Sequence, residues 1–456
     1  MESRPLRTAE SMYPAHAVCR CGRHTACAAY ILAAVIDSRV LIAVSIFLLL
    51  ASAAFGQQPR EDTPTDLAPT AEIALSGGSL AGGPETDTPG CCCNSLCGPG
   101  GRFWTSAEAL LWWVQGQKLP SLVTTFPAGT PQNETGLGDP GELTLFGDSR
   151  VNGDLRFGGR FDLGYWLDCD RTVGLEGNFF YLEGLRDSFS ASGNGDPILA
   201  RPFYDAGNSN LPSSELISYP GLVSGTVQAT ATSGGLYGAE ALLRFNLHCG
   251  CRCRLDFVGG YRYLHYSDMV GVSENLISVD PSSFVAMGTQ IVVNDCFAAR
   301  DDFHALEFGF DGELRRGCWT LDGLAKLAVG PNLETIQING STTTTVPGEA
   351  PFSSSGGLLA LTSNIGAYHN RQWAVIPEVG TRLNYQISSC VRAFVGYNFL
   401  YWPNLARAGN QIDLHANSNL VPPIVGPLNG PLNPAFAYHN SELWAQGITL
   451  GTEIRF

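Results

Sequence analysis

The chain has 456 residues, 53 of them glycine, and only 15% are charged. The formal net charge of −15 argues against nucleic acid as a partner. After residue 56 no apolar run reaches the roughly 20 residues of a membrane helix, which leaves a soluble protein or a membrane β-barrel, where hydrophobicity hides in alternation.

Residues 1–56 differ in kind from the rest. Arg4, Arg7, Arg20, Arg23 and Arg39 precede the apolar run Val40–Leu50, and small residues follow in ASAAFG. A basic region, an apolar core and a small-residue cleavage zone predict a signal peptide with a long basic region, and hence export. Residues 57–102 read as a disordered Pro, Gly and acid-rich linker that ends in the cysteine-rich CCCNSLCGPGG.

Period-two segments follow. In Asp154–Asp168, Leu155, Phe157, Phe161, Leu163, Tyr165 and Leu167 fall on one face, with Asp154, Arg156, Arg160 and Asp162 on the other. A strand sorts residues this way and a helix does not. Nine more segments behave alike: Phe103–Gln115, Thr172–Leu182, Leu236–Leu247, Arg254–Tyr266, Phe303–Leu314, Trp319–Gly330, Trp373–Ile387, Val391–Trp402 and Leu443–Phe456. Their lengths suit a tilted membrane strand better than a soluble one. A charge on the lipid face is costly, so the charged parity must face inward. This predicts the lumen-facing set Arg156, Arg160, Asp162, Glu240, Arg244, Arg262, Glu307, Asp311, Lys326, Glu378 and Arg382.

Connections alternate between short and long. The long ones run over 116–153, 186–235, 267–302, 331–372 and 403–442. The expected fold is an all-β antiparallel up-and-down transmembrane barrel of ten strands, or twelve if a long loop hides another hairpin. Both ends and the short turns lie in the periplasm, with long loops outside. The last segment places Ile448, Leu450 and Ile454 on one face and stops at Phe456. An alternating last strand ending in Phe resembles the signal read by the barrel-assembly machinery. That machinery and outer-membrane lipid are the expected partners, and the expected location is the cell outer membrane.

GRFWTSAEALLWW after CCCNSLCGPGG is similar to the start of the planctomycete-type β-barrel porins of type seven. The resemblance runs from Cys91 to Phe456. Its most specific parts are the pair Trp112 and Trp113, the segment Phe157–Leu167 and the terminal Phe456. It implies an outer-membrane barrel and supplies neither a substrate nor a catalytic residue.

Eleven of the 14 cysteines lie after residue 56. Cys91, Cys92, Cys93 and Cys97 precede the first strand, while Cys169, Cys249, Cys251, Cys253, Cys318 and Cys390 fall at the short turns. An exported chain permits disulfides among them or with a periplasmic partner. Sequence leaves the pairing open, with a thiolate metal site and free thiols as the rivals.

His265 and Asp268 close one segment, and Asp301, Asp302 and His304 open the next. If these strands pair, a hydrolytic site at the outer rim is conceivable, although ordinary rim polarity is the simpler account. No nucleophile elbow, zinc-protease helix or phosphate loop stands in its required context. The expectation is therefore a non-enzyme without metal or cofactor. It is either a porin-like narrow channel whose lumen charges tune selectivity, or a non-conducting structural or adhesive barrel acting through its long loops and cysteine-rich end. Ten strands leave a narrow bore filled largely by side chains.

Overall fold

The computed structural model describes residues 101–456 apart from 251, 284, 424–428 and 456. The expected signal peptide, the linker up to residue 100 with Cys91, Cys92, Cys93 and Cys97, and also Cys251 and Phe456, lie outside the described residues. No helix among the described residues is long and apolar enough to cross a membrane.

Ten strands close into a ring: β1 (Phe103–Val114), β2 (Leu155–Trp166), β3 (Val173–Leu182), β4 (Leu236–Cys249), β5 (Cys253–Ser278), β6 (Gln290–Arg316), β7 (Trp319–Thr345), β8 (Gly366–Gln386), β9 (Val391–Ala406) and β10 (Asn440–Arg455). Each pairs antiparallel with the next in sequence. The ring closes where β1 pairs with β10, from Trp104 opposite Arg455 to Val114 opposite Ala445. Closure removes the unpaired edges that an open sheet would expose. The outer wall of the ring carries Phe157, Phe161, Leu175, Phe179, Leu243, Phe308, Phe310, Leu321, Val395, Ile448 and Leu450, all exposed. Such a belt is stable against acyl chains and would be a liability against water.

Three strands outrun the belt. β5, β6 and β7 are 26, 27 and 27 residues long. Much of the expected long loops at 267–302 and 331–372 is therefore ladder, with the β5–β6 hairpin turning only at 279–289. The pattern explains why they read as loops. In β7, Leu321 and Leu327 face outward while Asp322 and Lys326 are buried; further along, Ile336 and Ile338 are buried while Gln337, Asn339 and Ser341 are exposed. In β6, Phe308 and Phe310 face outward over buried Glu307 and Asp311, whereas Val293, Phe297 and Ala299 point inward beyond the belt. Alternation never stops, but the apolar set changes sides, because lipid surrounds the lower part and water the upper.

The loop 186–235 hides a further hairpin, Leu185–Gly193 with Val223–Ser233, but it lies outside the ring, which stays at ten strands. The hairpin prolongs β3 and β4 and pairs with the protruding half of β5, Ser233 opposite Asp268. Gly235 marks the break before β4: a Cβ there would sit 2.9 Å from the Leu182 carbonyl oxygen. A second small sheet of Val123–Phe126, Leu143–Phe146, Ile198–Asp205, Leu211–Ser218 and His415–Ala416 packs over the protruding strands. Leu199, Phe203, Ile217, Val272, Phe297, Ile338 and Leu359 form part of the shared core. The long connections thus build a cap with its own hydrophobic interior.

Candidate functional site

The bore of the barrel is filled in two chemically distinct layers. Strand parity sends every second side chain inward, and ten strands bring those side chains into contact. Toward the short-turn end the filling is ionic. The Arg262 guanidinium on β5 lies 2.6 Å from Glu378, 2.7 Å from Glu307 and 3.6 Å from Glu240. Lys326 Nζ on β7 lies 2.5 Å from Glu240, 3.5 Å from Glu307 and 3.8 Å from Glu378. Around this knot, Arg160 is 3.6 Å from Glu378, and Arg382 is 3.1 Å from Glu108. Nearby, Arg244 is 2.7 Å from both Glu176 and Asp311 and 2.9 Å from Asp256. Asp162 accepts from Ser106 Oγ at 2.5 Å and contacts Asn178. Nearer the short turns, Arg392 lies 2.8 Å from Glu453 and 3.4 Å from Glu313.

Carboxylate oxygens of Glu240, Glu307 and Glu378 all lie within 4.8 Å of one another, a spacing a metal ion could use. Lys326 and Arg262 already bring positive charge to these three acids, so the donor set is that of a buried salt-bridge network rather than a metal centre. A polar cavity of about 40 Å³ remains beside it, lined in part by Arg160, Glu176, Glu240, Asp311, Asp322 and Lys326. That volume holds a few water molecules at roughly 10–15 Å³ each.

Toward the long-loop end the filling is apolar. Trp112 and Leu110 of β1, Phe180 of β3, Leu264 of β5, Phe303 of β6, Ile376 of β8, and Leu400 and Trp402 of β9 are all no more than 1% exposed and form one cluster. The Trp112 and Phe180 rings stand 6.1 Å apart, and those of Phe303 and Trp402 5.9 Å apart. Arg160 joins the two layers, its guanidinium 5.4 Å from the Trp112 ring centre and 5.6 Å from that of Phe180. Residues 104–456 match the family described as Putative beta barrel porin-7 (BBP7). The chain belongs to this family.

Among curated proteins no sequence matches this BBP7 chain. Among solved structures it is similar to the outer membrane protease OmpT of Escherichia coli, at 10% identity and a TM-score of 0.36, covering 82% of this chain and 100% of that one. It is also similar to a TodX deletion mutant described as a monoaromatic hydrocarbon channel (8% identity, TM-score 0.20, 80% and 94% covered). A FadL homologue of Pseudomonas aeruginosa is a third (7% identity, TM-score 0.22, 78% and 90% covered). Likenesses at this level carry no argument about activity.

In the BBP7 chain the charges expected in the lumen divide by depth. Arg160, Asp162, Glu240, Arg244, Arg262, Glu307, Asp311, Lys326, Glu378 and Arg382 belong to the ionic layer. Arg156 stands apart: its Nη2 donates to Ser233 Oγ at 2.7 Å and to the Asn152 carbonyl at 3.1 Å, bracing the base of the cap. Ile448 and Leu450 are exposed on the outer wall, and Ile454 sits opposite Thr105 and Val391.

The rim residues expected as candidate hydrolytic groups divide into two sets. β5 and β6 do pair, but parity splits the candidate groups across the wall. His265 and Asp302 share the outward parity of Tyr261 and Leu306, with His265 Nδ1 2.8 Å from Asp302 Oδ1. His304, on the same side, contacts the Tyr261 hydroxyl at 2.6 Å. Asp268 and Asp301 point inward and hold backbone. Asp268 accepts from Arg407 Nε at 2.6 Å and the Ala408 N–H at 2.7 Å; Asp301 accepts from the Ala406 N–H at 2.9 Å. These two buried acids hold the end of β9 and the residues that follow it, a role that Arg407, in a stretch expected to be loop, did not reveal in the sequence.

The cap carries its own buried ion cluster. Arg201 lies 2.6 Å from both Glu274 and Asp295, and Asp295 also accepts the Ala360 N–H at 2.8 Å. Burial, reinforced by the negative charge of Glu274, pushes the nearby Glu215 carboxyl well above the ordinary carboxylate range.

Cys169, Cys253 and Cys390 stand at the short-turn end as free thiols, not bridged to one another. Cys249 ends β4, Cys318 lies between β6 and β7, and Cys296 lies in the protruding part of β6.

Proposed function

We propose that this outer-membrane barrel is closed to diffusion and works through its cap, as a non-enzymatic platform for contacts at the cell surface. The observation that carries the reading is the apolar layer around Trp112, Phe180, Phe303 and Trp402, whose inward side chains are no more than 1% exposed and pack into one cluster. Ions crossing it would shed water against hydrocarbon, at a cost of many kcal/mol. The core shared by the cap and the protruding strands favours a rigid outer surface over mobile loops.

The test is planar-bilayer conductance of the protein extracted from outer membranes, after heat-modifiable gel migration confirms a folded barrel. Silence is expected, and discrete openings in the unmodified protein would overturn the proposal. The narrow-channel reading draws on the polar cavity beneath the apolar layer. It requires openings whose ion selectivity changes on Glu378→Gln, which faces that cavity.

A further inference from the structure

Outward charge is not spread evenly along the long-loop edge of the apolar belt. Where β6, β7 and β8 leave the belt, Arg300 stands opposite Thr335 and Thr335 opposite His369, in one row across three strands. Arg371 follows His369 by two residues on the same face of β8, and Arg300, His369 and Arg371 are all exposed. Directly beneath them Leu333, Trp373 and Val375 expose hydrocarbon, Trp373 to 64%. At the height of Trp373, whose carbonyl accepts from Asn404 Nδ2 at 3.0 Å, β10 presents an acid instead, Glu442, opposite Pro403. Asp302, the acid beside Arg300, is shared by three donors: Tyr263 Oη at 2.7 Å, His265 Nδ1 at 2.8 Å and Arg300 Nε at 2.8 Å. The Arg300 side chain is still 59% exposed. Glu334 is buried on the inner face, where Asn370 Nδ2 donates to it at 2.9 Å. Arg371 pairs with no carboxylate among the described residues. His369 Nδ1 lies 3.2 Å from Thr335 Oγ1, which leaves Nε2 for a further partner.

We propose that Arg300, His369 and Arg371 hold the phosphate of an anionic lipid in the outer leaflet, with its acyl chains lying over Leu333, Trp373 and Val375. The long loops of an outer-membrane barrel lie outside the cell, which sets this row at the headgroups of that leaflet. Strands stand about 4.8 Å apart, so Arg300 and His369 are roughly 10 Å apart across β7, and Arg371 is roughly 7 Å from His369 along β8. Long side chains from these three positions can meet on one phosphate. Guanidinium groups match phosphate oxygens with two parallel donors each, and such bonds are about twice as strong as neutral ones. Trp373 suits the same level, because an indole settles between headgroup and chain. A free anion would use only the charged half of this surface. A lipid uses the charge and the hydrocarbon beneath it together.

The experiment is native mass spectrometry of the full chain, extracted from outer membranes of a Gram-negative expression host and washed free of bound lipid in mild detergent. Dimyristoyl phosphatidic acid is titrated in parallel with dimyristoylglycerol, which has the same chains and no phosphate. One tightly bound phosphatidic acid is expected, with dimyristoylglycerol at least about tenfold weaker. Arg300→Gln with Arg371→Gln should weaken phosphatidic acid at least about tenfold and leave dimyristoylglycerol unchanged, in a barrel with intact heat-modifiable migration. Arg371→Gln alone, at an exposed position, should weaken it severalfold and gives the reading if the double variant does not fold. Arg252→Gln, an exposed arginine at the short-turn end, should change neither lipid. Equal binding of the two lipids, unchanged affinity in the arginine variants, or an equal loss in Arg252→Gln would overturn the proposal. So would displacement of phosphatidic acid by inorganic phosphate at equal concentration, which would reduce the row to an anion contact.

Discussion

Arg262 is the place to test whether the ionic layer holds the barrel together. Its side chain is 1% exposed and meets Glu307, Glu378 and Glu240 at 2.7, 2.6 and 3.6 Å. Arg262→Met keeps most of the volume and removes the charge. Three buried carboxylates are then left with Lys326, at 2.5 Å from Glu240 and 3.5 Å from Glu307, and with Arg160 at 3.6 Å from Glu378. Breaking one buried pair by removing a partner costs about 3–5 kcal/mol, because the charge left behind stays desolvated. Arg262 serves three acids, so its loss should fall at the upper end of that range. Glu307→Gln in the Arg262→Met background should recover about 1–3 kcal/mol, since it removes one uncompensated charge. The assay is urea unfolding of the barrel refolded into lipid vesicles, followed by tryptophan fluorescence, for both single variants and the double. A loss under about 1 kcal/mol for Arg262→Met, or strict additivity in the cycle, would refute the claim that these contacts form one network.

Four further outcomes follow from the same structure. Phe308→Arg places a charge on the outer wall and should cost about 2–4 kcal/mol in vesicles, whereas Gln337→Arg, outward on β7 beyond the belt, should change unfolding by less than about 0.5 kcal/mol. Asp268→Ala leaves Arg407 buried without its carboxylate and should make residues 403–412 sensitive to added protease while the barrel stays folded. Glu215 keeps its proton in the folded cap to a higher pH than in the unfolded chain. The cap is therefore most stable below the ordinary carboxylate range and loosens as pH rises above about 4.5 toward the raised folded value. Hydrogen exchange of residues 198–218 should quicken with pH beyond the intrinsic trend, and Glu215→Gln should abolish that excess. Trp112→Ala with Trp402→Ala removes two indoles from the apolar layer, and bilayer recordings should then show brief openings absent from the parent protein; continued silence in a folded double variant would place the block elsewhere.

The barrel was legible because lipid on one side and charge on the other impose a single rule on all ten strands. Phe161 against Arg160, or Phe308 against Glu307, is enough to set the register of a strand. The same rule misled beyond the belt. Val270, Val272 and Leu276 continue the alternation of β5, but on the parity that carries Asp256 and Arg262 below, so a search for outward apolar residues ends near Tyr266. The depth at which Trp112 and Phe180 meet was equally hidden, because an inward Trp beside an outward Trp113 has no period to read. Asp268 and Asp301 looked like rim chemistry because sequence places them beside His265 and Asp302, but opposite parity along β5 and β6 sends the two sets to opposite faces. The contact of Arg407 with Asp268 joins positions 139 apart and left no local trace.

The change of sides along β5, β6 and β7 also sets how far the protein reaches. A strand of 27 residues rising about 3.3 Å per residue and tilted by about 40° climbs roughly 70 Å, against about 25 Å for the hydrocarbon slab. Tens of ångströms of continuous ladder therefore stand above the lipid, like a mast stepped through a deck. Ser273, Asn275, Asn294, Asn339 and Ser341 present hydroxyls and amides along its flank. Because one set of hydrogen bonds runs from this height down to the short turns, a pull on the tip is borne by the whole wall, and the load passes through the ladder into the part held in the lipid.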